Sequence, residues 1–258
     1  MDNSKKKIVL QIGNIIGFIA TVIVNFLAVG LPINNKTTEE LSDALPNLFV
    51  PIGLTFSIWS VIYILLGIFA VYQAKDLFKS EKQEIPFLDK ISFFFILSSI
   101  ANVTWIFLWH YELVLLSLIV MVILFLSLLF LYLRLRIGKE DVNRREKLFI
   151  HVPISVYFGW ITTATIANIT AFLVSINWNR FGLTEEFWTI LILIVVAIIY
   201  GLTVLTRRDS AYGLVGVWSS LGIFLKQVTL NPIVAYTALG VMIAIALSIV
   251  ILIIFKKK

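Results

Sequence analysis

The feature that most constrains this chain is a succession of long apolar runs, several of them more than 20 residues without a charged side chain. A helix needs about 20 mostly apolar residues to cross the hydrocarbon core of a bilayer. The chain has 258 residues, of which 60% are hydrophobic, and its mean hydropathy is +0.98. A soluble domain of this length could not bury so much apolar surface. Lipid is therefore the expected solvent.

The apolar runs predict an all-α fold, a polytopic bundle of about eight transmembrane helices. The seventh run is short and rich in Gly and Ser, so its loss would reduce the count to seven. The predicted spans are 8–31, 49–73, 91–109, 113–135, 148–176, 187–206, 211–225 and 232–255.

The distribution of basic residues tests this count and orients the chain. With eight spans and an internal N-terminus, 18 of the 21 Lys and Arg residues lie on the cytoplasmic side. Such a bias follows the positive-inside rule. We therefore expect an integral protein of a bacterial cytoplasmic membrane with both termini cytoplasmic and the first span uncleaved. The net charge of +6 then reflects orientation, and no nucleic-acid partner is expected.

Chemistry-bearing motifs are missing from the sequence. It contains no cysteine, no paired metal-ligand spacing, no phosphate-binding glycine loop and no serine nucleophile elbow. Ionisable groups inside membrane spans usually mark function, and here they fall near span ends. We therefore predict no catalytic residue, no metal, no cofactor and no enzymatic activity.

Three predicted spans carry narrow strips of aromatic, amide and hydroxyl side chains at helical spacing. Residues four or three apart share one face of a helix. The strips are Thr55, Trp59, Tyr63 and Gly67; Ser98, Asn102, Trp105 and Trp109; and Trp160, Ala164 and Asn168. Two interpretations remain open: the strips join neighbouring helices by hydrogen bonds, or they converge on a pocket for a flat apolar ligand.

The same residues carry a resemblance to a known family. Pro46 and Pro51, around the start of the second predicted span, stand at the spacing of a family proline motif, whose lysine is replaced here by Leu45. The later motifs are a Trp-Tyr-Gly strip, an Asn-x-x-Trp element and a Tyr-x-x-Trp-x-x-x-Ala-x-x-x-Asn element. They are matched by Trp59, Tyr63 and Gly67; by Asn102 and Trp105; and by Tyr157, Trp160, Ala164 and Asn168. On these residues the chain resembles the tryptophan-rich sensory protein/translocator protein family.

The resemblance implies a fold, a ligand class and a site. Members of that family are five-helix membrane bundles that bind porphyrins and sterol-like ligands. Residues 1–176 would form such a unit, 177–258 would add three transmembrane helices, and the loop 32–50 would act as a lid. The protein would bind a planar hydrophobic molecule, such as a tetrapyrrole, for sensing or transport. The implied ligand-binding residues are Trp59, Tyr63, Asn102, Trp105, Tyr157, Trp160, Ala164 and Asn168.

Other functions remain open from the sequence. The chain could be a small-solute transporter that uses all eight helices, or a non-catalytic membrane assembly subunit. Small residues on the first and seventh spans allow helices to approach closely. We expect them to serve internal packing, and a homodimer is also possible. They are Gly13, Gly17, Ala20, Gly213, Gly216, Ser220 and Gly222. Besides the hydrophobic small molecule, membrane lipid is the expected partner.

Overall fold

The computed structural model describes residues 3–31, 33–79 and 84–255. Helix makes up 81% of the chain, and the described residues contain no strand. The α-helices are α1 (Asn3–Gly30), α2 (Thr38–Asp43), α3 (Ile58–Gln73), α4 (Pro86–Ile91), α5 (Phe94–His110), α6 (Val114–Arg134), α7 (Arg144–Glu146), α8 (Val152–Ser175), α9 (Glu185–Arg207), α10 (Ser210–Gln227) and α11 (Pro232–Phe255). The all-α prediction is confirmed.

Six segments of the described chain are long and apolar enough to cross a membrane. They contain α1, α3, α6, α8, α9 and α11. Helix α5 is apolar but shorter, with 17 residues, and α10, the uncertain seventh span, is a continuous helix of 18 residues. The polytopic bundle expected from the apolar runs is therefore present. Pro32, Lys82 and the C-terminal lysines that entered the topology prediction lie outside the described residues.

Local chemistry explains where the helices begin and end. The Thr184 hydroxyl accepts a hydrogen bond from the Phe187 amide at the start of α9, and the Asp209 carboxylate caps α10 through the Tyr212 amide. Between them, Arg208 adopts a left-handed conformation with φ of 53°, which ends α9. Charged residues therefore define a tight turn between two apolar helices.

The predicted third span is interrupted near its start. Ser92 has φ of 50°, a left-handed conformation that separates α4 from α5. The second span also begins later as an α-helix than the apolar pattern suggested, since Pro51 precedes a 3₁₀ segment at Gly53–Ser57. Proline disfavours a helical conformation in the residue before it. Hydrophobicity therefore located these spans but misplaced their N-terminal ends.

The chain divides into two compact units. Unit 1 contains residues 1–38 and 59–158, and unit 2 contains 39–58 and 159–258. In unit 1, α1 packs on α5 and α5 packs on α6, and in unit 2, α9, α10 and α11 pack on one another. The units interleave along the sequence, and the boundary predicted at residue 176 stays a prediction.

Glycines permit the close helix contacts inside each unit. In unit 1 a Cβ atom added at Gly17 would lie 2.8 Å from the Ser99 hydroxyl oxygen of α5. In unit 2 a Cβ added at Gly216 of α10 would lie 2.5 Å from the ring of Tyr200. Both distances are shorter than van der Waals contact. The small residues therefore serve internal packing, as expected.

Candidate ligand-binding site

Three of the predicted site residues form an aromatic face in unit 1. The rings of Trp59 and Tyr63 stack at 5.6 Å between centroids with an interplanar angle of 19°. Tyr157 meets Trp59 edge-on at 6.2 Å. Trp59 and Tyr63 are partly exposed, whereas Tyr157 is buried. We call Trp59, Tyr63 and Tyr157 the aromatic face, since two parallel rings remain accessible above a buried third one.

Asn102 holds the buried ring of this face in position. Its Nδ2 donates to the Tyr157 hydroxyl at 3.2 Å, and its Oδ1 accepts from Asn25 Nδ2 at 2.7 Å. Both amides are buried, and a buried amide without partners is costly in lipid. The structure therefore brings Asn102 to the aromatic face through a hydrogen bond, as a residue that positions Tyr157.

Trp105 lies one turn beyond Asn102 on α5. It is 5% exposed and stacks on Trp109 at 6.1 Å. Its indole N–H has no hydrogen-bond partner among the described residues. A buried indole usually donates a hydrogen bond. Trp105 thus carries a buried donor that no acceptor in the described part of the chain satisfies.

The remaining predicted residues belong to unit 2. Trp160 is buried and contacts Phe56 edge-on at 6.0 Å. Asn168 is buried and Ala164 is partly exposed, on the same helix. The eight-residue site stays a prediction.

Sequence reasoning missed a polar cluster in unit 1 that we call the amide seam, formed by Lys7, Gln11, Asn14, Gln73 and Asp76. Gln11 Nε2 donates to Asp76 Oδ1 at 2.8 Å and to the Gln73 carbonyl at 2.9 Å. Gln73 Nε2 donates to the Gln11 carbonyl at 3.0 Å. Lys7 forms an ion pair with Asp76, whose side chain is fully buried.

Two acceptors in the seam are buried without a partner among the described residues, namely Gln11 Oε1 and Asn14 Oδ1. The sequence held a signal for this cluster. Polar residues recur along α1 at spacings of four, three, seven and four, which is one helical face. They are Lys7, Gln11, Asn14, Thr21 and Asn25.

Unit 2 contains a cavity of about 190 Å³. Its walls come from Pro46 and Asn47, from the C-terminal part of α8 and the turn after it, and from the first two turns of α9. Trp178 and Trp188 line it with ring centroids 4.9 Å apart. Both indoles lie near the ends of predicted spans, where Trp is common at the membrane interface, so the sequence did not predict the cavity. We call it the tryptophan cavity.

The loop predicted as a lid is held by contacts within each unit. In unit 1, Asn34 donates to the His110 carbonyl at 3.0 Å, and Lys36 pairs with Glu112. In unit 2, the Leu48 amide donates to Glu185 at 2.9 Å, and Lys226 pairs with Asp43 at 2.6 Å. The middle of the loop forms α2.

An all-helical fold with six segments able to span a bilayer, and with amide and aromatic side chains buried inside it, defines a polytopic integral membrane protein. In a comparison with known protein families, the sequence model of the family described as TSPO-like protein matches residues 11–251. The chain therefore belongs to the TSPO-like family. The match continues beyond residue 176 through α9 and α10 and into α11. No curated protein and no solved structure matches the chain significantly.

Proposed function

We propose that this protein binds a planar hydrophobic molecule of the tetrapyrrole or sterol-like class on the aromatic face, for sensing or transport. The observation that carries the proposal is the parallel, partly exposed pair of Trp59 and Tyr63 above buried Tyr157. Parallel rings offer a flat ligand a broad contact area at little conformational cost. Membership of the family agrees with this assignment.

Polar groups of the predicted site would orient the ligand. The Trp105 N–H lacks a partner among the described residues and would donate to a carboxylate or carbonyl on the ligand edge. Asn102 is already engaged with Asn25 and Tyr157, so it would act by holding Tyr157 rigid. For Trp160, Ala164 and Asn168 the proposed ligand-binding role rests on the family motif alone. Binding would proceed without covalent chemistry.

The test is titration of the purified protein in detergent with protoporphyrin, followed by the porphyrin absorbance as well as by tryptophan quenching. Absorbance keeps the readout independent of the number of indoles. We expect Trp59→Ala to weaken binding about tenfold, whereas Trp59→Phe retains a ring and loses less. Trp188→Phe, a substitution in unit 2, is the matched control. Equal affinities of the wild type and Trp59→Ala would refute the assignment.

A second candidate function is transport of a small solute or ion, and the amide seam favours it. Buried polar groups inside membrane helices often line a transport path. Gln11 Oε1 and Asn14 Oδ1, which have no partner within the described part of the chain, would accept from a solute or contact a cation. Sodium and potassium flux into proteoliposomes, measured with entrapped ion-sensitive dyes, tests this function. Gln11→Leu should abolish any flux that the seam carries, and flux unchanged by it would exclude the seam.

We further propose that the protein lies in a bacterial cytoplasmic membrane with both termini cytoplasmic. The absence of native cysteine makes the orientation easy to test. Single cysteines would replace Lys139 and Lys36, which fall on opposite sides of the membrane in the proposed topology. An impermeant maleimide added to intact cells should label Lys36→Cys and leave Lys139→Cys unlabelled. The reverse pattern would invert the topology.

A further inference from the structure

The tryptophan cavity combines two indole rings with one carboxylate and one guanidinium group. Trp178 and Trp188 contact each other at an interplanar angle of 60°, and Glu185 and Arg180 also line the cavity. Pro46, Leu173 and neighbouring apolar side chains complete the wall. A purely apolar ligand would form no electrostatic interaction with these two charged groups.

A hydrogen bond and ring contacts hold the two indoles that line the cavity. Trp188 Nε1 donates to the Arg180 carbonyl at 2.9 Å, which fixes the ring and removes its N–H from the ligand's reach. Phe181 supports Trp178 edge-on at 5.5 Å. The face of an indole attracts a cation through its quadrupole, and pairs of aromatic rings are the usual site for quaternary ammonium groups.

The charged groups are adjacent but weakly coupled. Arg180 Nη1 lies 3.5 Å from Glu185 Oε2, and both side chains are more than one-third exposed. An exposed ion pair of this length contributes little to stability. Glu185 Oε1 accepts from the Leu48 amide, so the carboxylate keeps its position when the ion pair opens. A ligand with both signs of charge could therefore exchange its own charges for this pair.

We propose that the tryptophan cavity binds a small zwitterion that joins an ammonium group to an anionic group such as phosphate. The ammonium group would lie against Trp178, Trp188 and Glu185, and the anion would pair with Arg180. The cavity lies where α8 ends and α9 begins, at the ends of membrane helices, where phospholipid headgroups are found. The source is a zwitterionic lipid headgroup or a free zwitterion of the same chemistry. The inference does not depend on the proposed function.

The first experiment measures binding of glycerophosphocholine to the full-length protein in a maltoside detergent by calorimetry. Glu185→Gln should weaken binding at least about tenfold, because it removes the charge but keeps an oxygen that accepts from Leu48. The matched control is Glu186→Gln, the next carboxylate in the same helical turn, which bonds to Asn231 and does not line the cavity. Trp178→Leu gives an independent second variant with the same expected loss.

The second experiment separates the two sources by native mass spectrometry of protein taken from phosphatidylcholine or phosphatidylglycerol nanodiscs. Selective retention of phosphatidylcholine, lost in Glu185→Gln and Trp178→Leu, assigns the cavity to lipid. Binding of glycerophosphocholine with the same variant dependence and no lipid retention assigns it to a free zwitterion. The proposal is overturned if both lipids are retained equally and the soluble headgroup does not bind, or if both variants behave as the wild type. Protoporphyrin binding by the same variants should stay unchanged.

Discussion

The main buried polar clusters of the two units differ in chemistry: the amide seam of unit 1 consists of carboxamides and one ion pair, whereas the corresponding cluster of unit 2 consists of hydroxyl groups. The amide seam uses side chains with several donors and acceptors, and two of its oxygens have no partner among the described residues. In unit 2, Thr163 and Tyr200 bond at 2.7 Å, and the Tyr200 hydroxyl also donates to the Gly159 carbonyl at 2.7 Å. We call the group of Thr162, Thr163, Tyr200, Tyr212 and Ser219 the hydroxyl cluster.

This difference between the two clusters follows from the length of the side chains and from the number of hydrogen-bond donors and acceptors that each carries. A hydroxyl has one donor, so one or two short bonds satisfy it, provided that the helices lie close enough. Gly216 supplies that proximity in unit 2 by letting the Tyr200 ring pack on α10. A carboxamide needs more partners than a helix pair supplies. Unit 2 is thus built for stable packing, and the seam of unit 1 keeps capacity for a further partner.

The largest effect expected is at the ion pair of the seam. Asp76→Asn would leave Lys7, whose side chain is only 15% exposed, without its carboxylate partner. Breaking a buried ion pair on one side costs about 3 kcal/mol. The measurement is the free energy of unfolding in mixed detergent micelles. Asp89→Asn is the control, because its partner Lys6 lies on the same helix and both groups are exposed. Equal losses for Asp76→Asn and Asp89→Asn would contradict the prediction that the buried ion pair contributes more to stability than the exposed one.

The second effect tests the close packing of unit 2. Gly216→Ala would place a methyl group 2.5 Å from a ring that two hydrogen bonds hold in place, so we expect a loss of about 2 kcal/mol. Gly240→Ala on α11 meets no atom within 4 Å and should be neutral or slightly stabilising. Thermal unfolding of both variants measures the contrast. A neutral Gly216→Ala would show that the Tyr200 ring can yield.

A smaller effect compares the two interiors directly by removing one hydroxyl from each. Tyr200→Phe loses two bonds of 2.7 Å and should cost about 1 kcal/mol, within the range found for hydrogen bonds in membranes. Tyr157→Phe loses one bond of 3.2 Å from Asn102 and should cost about half as much. The readout is again the free energy of unfolding. A larger loss of unfolding free energy for Tyr157→Phe than for Tyr200→Phe would contradict this prediction.

The smallest effect lies outside the membrane segments. A hydrogen bond from Lys90 lowers the pKa of the Glu140 carboxyl below its ordinary value of 4.5. A lowered pKa stabilises the fold above pH 4.5, and this contribution disappears as the pH falls through the folded-state value. Glu140→Gln should therefore lower the unfolding temperature slightly at pH 7, and this difference should shrink as the pH falls below 4.5. A difference that grows on acidification would contradict this sign.

Much of the fold could be predicted from the sequence, since length and apolarity alone decide whether a segment can cross a bilayer. The last predicted span, 232–255, coincides with α11. The predictions failed at the N-terminal ends of the second and third spans. There the backbone conformations around Pro51 and Ser92 determine where the α-helix begins. Hydropathy carries no information on backbone conformation, so these helix ends can be located only in the three-dimensional structure.

The candidate sites divide in the same way. Spacing placed Trp59 and Tyr63 on one face of α3, and their parallel stacking agrees with it. The amide seam was missed because Lys7 and Asp76 lie just outside the predicted spans 8–31 and 49–73. The tryptophan cavity was missed because Trp178 and Trp188 match an interfacial belt equally well. In each case the partner lies on another segment of the chain.

The sequence by itself determined that this chain is a polytopic helical membrane protein and which family it resembles, because these depend on local composition and spacing. Only the tertiary structure decided which polar groups meet, which amide oxygens lack a partner and where a cavity opens. Those outcomes depend on distances between residues far apart in the chain, which follow from helix packing such as the close contacts at Gly17 and Gly216.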